Sequence, residues 1–214
     1  MKKLSLIFIV CVLASEIVPA SSPGTTAASF LKIGVGAKNI AMGETGAAAG
    51  DANSIYWNPA GISLLERSKV SLMHAVWLQE INYNYLAVVH PMDIGTLGAA
   101  VNYLSMSEIE MYDIYDTKLG KSYKPYDLAL TLSYARKIRE IPVGLNLKYI
   151  YSEIDKESAN AIAFDLGAIY EGIVLRDEKL RVGLAIQNIG TRMKFVKEKS
   201  DLPLNFRRCP KSNG

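Results

Sequence analysis

The sequence predicts an all-β protein, an antiparallel transmembrane β-barrel wall preceded by a Gly/Ala-rich segment with short helices. Three observations carry that expectation. Seven stretches between residues 68 and 189 alternate apolar with small or polar residues, each about the ten residues a tilted strand needs to cross a bilayer. In one of them Leu128, Leu130, Leu132 and Tyr134 fall on one face and Ala129, Thr131, Ser133 and Ala135 on the other, because side chains alternate along a strand. Tyrosine supplies 12 of the aromatics against five Phe and two Trp, and its buried ring and wet hydroxyl suit a membrane interface. The chain also opens with an export signal.

Lys2 and Lys3 form the basic start of that signal, residues 4–14 its apolar run, and Val18-Pro19-Ala20 a small-residue cleavage site, so residues 1–20 read as a secretory signal peptide. No stretch reaches the roughly 18 continuous apolar residues of a spanning helix. Beyond the signal Cys209 is the one remaining cysteine, so no internal disulfide is expected. A formal charge of +3 gives no reason to expect a nucleic-acid partner.

Residues 21–66 differ in character from the alternating stretches. Gly34, Gly36, Gly43, Gly46 and the run Ala47-Ala48-Ala49 allow tight turns and close backbone approach. Asn58-Pro59-Ala60-Gly61 reads as a turn that starts a helix, with proline where a helix accepts it. Strands are expected over 68–78, 81–89, 96–104, 127–135, 143–151, 161–170 and 180–189, with an eighth beginning at Leu202. The connections 91–95, 136–142 and 171–179 are short. The other set, 105–126, 152–160 and 190–201, holds the one long loop, the asymmetry of an outer-membrane barrel.

On the polar face the expected lumen-lining residues are Asn82, Asn84, Asn102, Thr131, Asn146, Lys148, Asp165 and Gln187. The facing-out partners are Tyr83, Tyr85, Val101, Tyr103, Leu145, Leu147, Phe164, Leu166, Leu184 and Ile186. A charge such as Lys148 or Asp165 is costly against lipid and tolerated in a lumen, where the two could pair across neighbouring strands.

Other chemistries find no support. Gly34-Val35-Gly36 lacks the third glycine of a dinucleotide loop, position 39 being Asn. His74 and His90 lack metal-ligand spacing and read as strand histidines. No nucleophile elbow occurs, and Glu108, Glu110, Asp113 and Asp116 read as a solvated acidic loop. No catalytic residue, metal or cofactor is expected.

The ordered run from Phe30 through Gly34-Val35-Gly36 to Lys38, then Ala41-Met42-Gly43, then residues 51–61 ending in Tyr56-Trp57-Asn58-Pro59-Ala60-Gly61, resembles the N-terminal signature of the PorV/PorQ group of outer-membrane proteins. That group is itself similar to FadL-type long-chain fatty-acid transporters. Ala163-Phe164-Asp165-Leu166-Gly167-Ala168 and Asn188-Ile189-Gly190 extend the resemblance. It implies a 14-stranded barrel in a Gram-negative outer membrane, with residues 21–66 as a hatch inside and 67–206 as wall. The implied partners are outer-membrane lipid, and either fatty-acid-like hydrophobic molecules or cargo proteins and machinery of type IX secretion.

Seven strands and the start of an eighth are half of such a wall, and an unclosed sheet bares hydrogen-bonding edges in lipid. After Phe206 the sequence turns to a polar tail, residues 207–214, which reads as a frameshift or premature stop. An eight-stranded barrel would leave no room for a hatch of about 40 residues. The expected function is therefore non-enzymatic transport, binding or secretion. The alternatives are a surface structural or adhesion protein using the 105–126 loop, or an inactive truncated fragment.

Overall fold

The computed structural model describes residues 28–77, 80–112, 115, 117–175 and 178–197. The expected signal peptide, the eighth strand at Leu202 and the tail 207–214 lie outside them. The N-terminal segment holds a 3₁₀ turn Ser29–Lys32, helix α1 Ala37–Ala41, helix α2 Ser54–Trp57 and a 3₁₀ turn Pro59–Leu64. Helices of four or five residues are unstable alone. Here Phe30, Val35, Ile55 and Ile62 are buried in one cluster with Tyr83, Tyr85, Ala100 and Ile150 of the sheet, and each such burial contributes roughly 1.5–3 kcal/mol.

The sheet is built from β1 Lys69–Val76, β2 Asn82–Met92, β3 Gly95–Ser105, β6 Tyr126–Ile138, β7 Ile141–Ile154, β8 Glu157–Leu175 and β9 Glu178–Gly190. They pair antiparallel in the order β1-β2-β3-β6-β7-β8, with β9 beside β8. A short β10, Val196–Lys197, pairs with Glu157 and Ser158 further along the same edge of β8, so β9 and β10 act as one interrupted strand. Among the described residues no ladder joins β1 to β9, and the sheet is open.

Two expectations about connections change. The 105–126 loop contains a separate hairpin, β4 Ile109–Tyr112 with β5 Lys118–Tyr123; its strands are too short and charged for alternation to reveal them. Glu108 and Glu110 stand on or beside it, whereas Asp113 and Asp116 lie outside the described residues. The 152–160 connection shrinks to the turn Asp155-Lys156, because β7 and β8 pair as far as Ile154 and Glu157. At the opposite end β6 and β7 join through Arg139 and Glu140, both at positive φ (47° and 70°), the backbone a tight two-residue hairpin requires.

Alternation sorts the sheet into two faces. Ala129, Thr131, Ser133 and Ala135 are buried under the N-terminal segment, while Leu130, Leu132 and Tyr134 are exposed. The same division runs through β3, β7 and β8. In β2 it reverses the expectation: Tyr83 and Tyr85 are fully or almost fully buried on the inner face, and Asn82 and Asn84 fall on the outer one. Register forces this, since Tyr85 pairs with the buried Asn102 and Asn84 with the outward Tyr103.

Candidate functional site

The inner face is the seat of the N-terminal segment, and its chemistry starts at Asn58. The Asn58 Oδ1 accepts the Ala60 amide (3.1 Å) and so caps the Pro59–Leu64 turn, with proline in the first position. Its Nδ2 donates to the carbonyls of Ala47 (2.6 Å), Ala168 in β8 (3.2 Å) and Leu184 in β9 (3.3 Å). One side chain therefore ties turn, segment and two strands together.

The turn comes close because the strands beneath it lack side chains. Gly144 and Gly167 are direct partners across β7 and β8. A Cβ at Gly144 would overlap the Pro59 and Ala60 backbone, and one at Gly167 the Asn58 carboxamide. Pro59, Ala60, Gly61 and Ile62 are all buried there.

The three glycines expected to matter in the segment do different work. Gly36, at φ 80°, precedes α1, and its amide donates to the Met73 sulfur in β1 at 3.2 Å. Gly43, at φ 73°, follows α1 with open space around it, so the backbone alone requires it. Gly34 is at an ordinary φ but packs so that a Cβ would lie 3.1 Å from the Trp57 ring.

A second polar cluster lies beside the turn. Asp165, fully buried, receives Lys148 Nζ at 2.7 Å, Asn146 Nδ2 at 2.7 Å and the Asn188 amide at 2.8 Å. Lys148 also donates to Asn188 Oδ1 at 3.0 Å. Asp165 stands opposite two residues of β9, Gln187 and Asn188, where the ladder shifts register, and Asn188 adopts φ 58°. The carboxylate thus satisfies the amide of a β-bulge.

That bulge faces the segment. Gln187 Nε2 donates to the Tyr56 and Trp57 carbonyls (2.5 and 3.1 Å) at the end of α2, and Asn146 donates to the Ile55 carbonyl at 2.7 Å. On the other flank Ser71 of β1 donates to Asn53 at 2.7 Å. Residues 53–57 consequently touch both edge strands, and the sheet curls around them.

Within the segment, Tyr56 donates to the Leu31 carbonyl and the Trp57 indole to that of Val35, both at 2.9 Å. Burial, reinforced by Tyr83 and Glu44, pushes the Tyr56 hydroxyl well above the ordinary tyrosine range, so it keeps its proton and remains a donor.

Of the residues expected to line a lumen, Asn102, Thr131, Asn146, Lys148, Asp165 and Gln187 are on the inner face, and Asn82 and Asn84 are not. The reach of Asn58 to strands 110 and 126 residues away carries no sequence signal. The Gly144–Gly167 pair could have been found as small residues at inward positions of adjacent strands. Among the described residues no group of three His, Cys, Asp or Glu could hold a metal ion, and no helix is long and apolar enough to span a membrane.

The fold and site define an all-antiparallel β-sheet protein whose inner face is occupied by its own N-terminal segment. Residues 20–210 match the family described as type IX secretion system protein PorV, and the chain belongs to that family. Membership makes it a type IX secretion-related outer-membrane protein. No curated protein matches the chain in sequence.

Proposed function

We propose that the sheet is barrel wall in the outer membrane, with its outer face against lipid and residues 28–66 as a hatch on its inner face. Its role is to hold exported cargo or a machinery protein rather than to catalyse. The outer face carries the argument. Its central rows, Leu72, Leu86, Val101, Leu130, Tyr149 and Ile162, then Val70, Val88, Ala99, Leu132, Leu147 and Phe164, contain no charge.

Polar and aromatic residues enter in the rows on either side. One holds His74, Asn84, Tyr103 and Tyr151 with Leu128 among them, and the other holds His90 and Tyr134 among Leu97, Leu145 and Leu166. From Asn84 to His90 is six residues, roughly 20 Å along a strand, close to the roughly 25 Å apolar band between aromatic girdles of outer-membrane barrels. Leu72 at 77% exposure and Leu132 at 64% form part of a contiguous surface that water would not tolerate.

Vesicle flotation and carbonate extraction of the expressed chain test the location. Retention in the membrane is expected, and release into the supernatant would refute it. Co-purification with exported cargo in mild detergent tests the role, which fails if neither cargo nor machinery is recovered.

A second reading, binding of a fatty-acid-like molecule, is favoured by a mainly apolar cavity beside the 3₁₀ turn Ser29–Lys32, lined by Leu31, Ile150, Ala161 and Met193 together with Lys32, Asn188 and Thr191. Its volume, about 270 Å³, is below the roughly 300–1,000 Å³ of typical ligand sites, which ranks this reading second. Equal fatty-acid uptake by cells with and without the protein would exclude it.

A further inference from the structure

A pocket of about 390 Å³ opens at the end of the sheet that carries the long 105–126 connection, between the 3₁₀ turn Ser29–Lys32, the ends of β3, β6 and β7, and the base of the β4–β5 hairpin. Phe30, Leu104 and Met106 give it apolar walls, and among the described residues the only charged ones that line it are Asp127 and Glu153. We propose that it receives a lysine or arginine side chain of an exported polypeptide, the aliphatic stem on the apolar walls and the cation at the two carboxylates. The proposal rests on the cargo-holding reading and names what that cargo must present.

The carboxylates are held in place but not neutralised. Asp127 accepts the hydroxyl of Ser152, its register partner, and Glu153 accepts the Tyr126 and Tyr151 hydroxyls, each at 2.8 Å. Neither meets a lysine, arginine or histidine among the described residues, unlike Asp165, whose charge Lys148 balances. Hydroxyl donors leave a carboxylate its negative charge, and a cation then gains a charge-assisted hydrogen bond from each. Tyr126 adds a ring fixed between Tyr103 and Tyr151, at centroid distances of 6.1 and 5.9 Å, and aromatic faces attract ammonium and guanidinium groups. Little has to reorganise when the cation arrives.

Size and lining select a side chain. The volume falls inside the roughly 300–1,000 Å³ of ligand sites, and a hydrated metal ion would leave the apolar walls unused. A long basic side chain uses both parts, because its methylenes pack on apolar surface while its head stays with polar groups. The exposed Ile109 and Ile154 stand at the mouth with Tyr123, the register partner of Ile109 at the hairpin base, so apolar residues flanking the cation find contacts there. An acidic segment meets two uncompensated carboxylates and is rejected.

The full chain in mild detergent is titrated with two capped, dye-labelled heptapeptides of alternating threonine and valine that differ only at the centre, lysine in one and norleucine in the other, and binding is read by fluorescence polarisation. The lysine peptide should bind about tenfold more tightly, the order expected from one charge-assisted hydrogen bond. Asp127→Asn and Glu153→Gln keep the size and a hydroxyl-accepting oxygen while removing the charge; each should reduce the preference, and the double variant should abolish it. Asp155→Asn is the control and should keep it: that carboxylate is exposed in the neighbouring turn, outside the pocket, at φ 55°, which asparagine accepts. Equal binding of the two peptides by the native chain, no binding of the lysine peptide, or an unchanged preference in the double variant overturns the proposal. Co-purification of exported cargo separates the two readings: a native chain that recovers cargo but ignores the lysine sinks only the pocket, whereas one that recovers neither cargo nor machinery sinks the holding role as well.

Discussion

The two faces of the sheet are made from the same strands but solve opposite problems. Inside, small residues such as Gly144, Gly167, Ala129 and Ala135 admit another backbone, and polar groups such as Asp165 are met by specific donors. Outside, Leu72, Leu132 and Leu184 are large, apolar and unmatched by any protein surface among the described residues. The inner face is thus specified by individual partners, and the outer face only by being uniformly greasy. One face should be sensitive to the identity of each residue, the other to polarity alone.

The largest effect should come from breaking the buried pair. Lys148→Met or Asp165→Leu alone leaves an uncompensated buried charge and should cost about 3–5 kcal/mol, while the double variant should recover only the part due to that charge, because the Asn188 amide and Asn146 carboxamide still lose their acceptor. Denaturant unfolding from lipid, followed by tryptophan fluorescence, measures both. Equal losses in the single and double variants would mean that the pair acts through shape and not charge.

On the outer face Leu132→Arg should cost roughly 2–4 kcal/mol near the bilayer midplane, whereas Leu132→Ile should be almost silent, as seen by the same unfolding. A neutral arginine there would put Leu132 outside the lipid. Smaller again is Gly167→Ala, whose Cβ meets the Asn58 carboxamide. Overpacking of this kind typically costs about 1–3 kcal/mol, and it should expose residues 28–66 to protease while leaving the sheet protected. Gly43→Ala, with open space around it, should pay only the left-handed backbone cost, about 1–2 kcal/mol.

The division into faces was legible where apolar and small residues alternate cleanly, as from Leu128 to Ala135. It was not legible in Asn82-Tyr83-Asn84-Tyr85, because tyrosine suits an interior as well as an interface, and asparagine suits a lumen as well as a headgroup level. Only pairing with β3 decides the phase there. The Asn58 turn was visible as Asn-Pro-Ala-Gly, but its strand carbonyls were not, since any backbone can supply a carbonyl. Lys148 and Asp165 were readable as a possible pair from adjacent strands. The bulge they support was not, because it depends on Asn188 adopting a positive φ.

The smallest expected effect lies on the hairpin, beyond both faces. Hydrogen bonds from Lys118 and Tyr112 hold the exposed Glu110 carboxyl below its ordinary value of 4.5. A depressed folded value means that its contribution is complete above the unfolded value and fades as pH falls through the folded one, below pH 4.5. Amide exchange in β4 and β5 should accelerate there, and salt should weaken the exposed pair, with the main sheet unchanged. Identical hairpin exchange at pH 6 and pH 3.5, after correction for intrinsic rates, would remove Glu110 from the account.

The central claim is best tested by placing single spin labels at successive positions of β6, Ala129 to Tyr134, in reconstituted membranes and measuring collision with dissolved oxygen and with a water-soluble nickel complex. The account predicts a period of two: labels at Leu130, Leu132 and Tyr134 meet oxygen and not nickel, while those at Ala129, Thr131 and Ser133 are shielded from both. Nickel access at Leu130 and Leu132 would place the apolar face in water and contradict it.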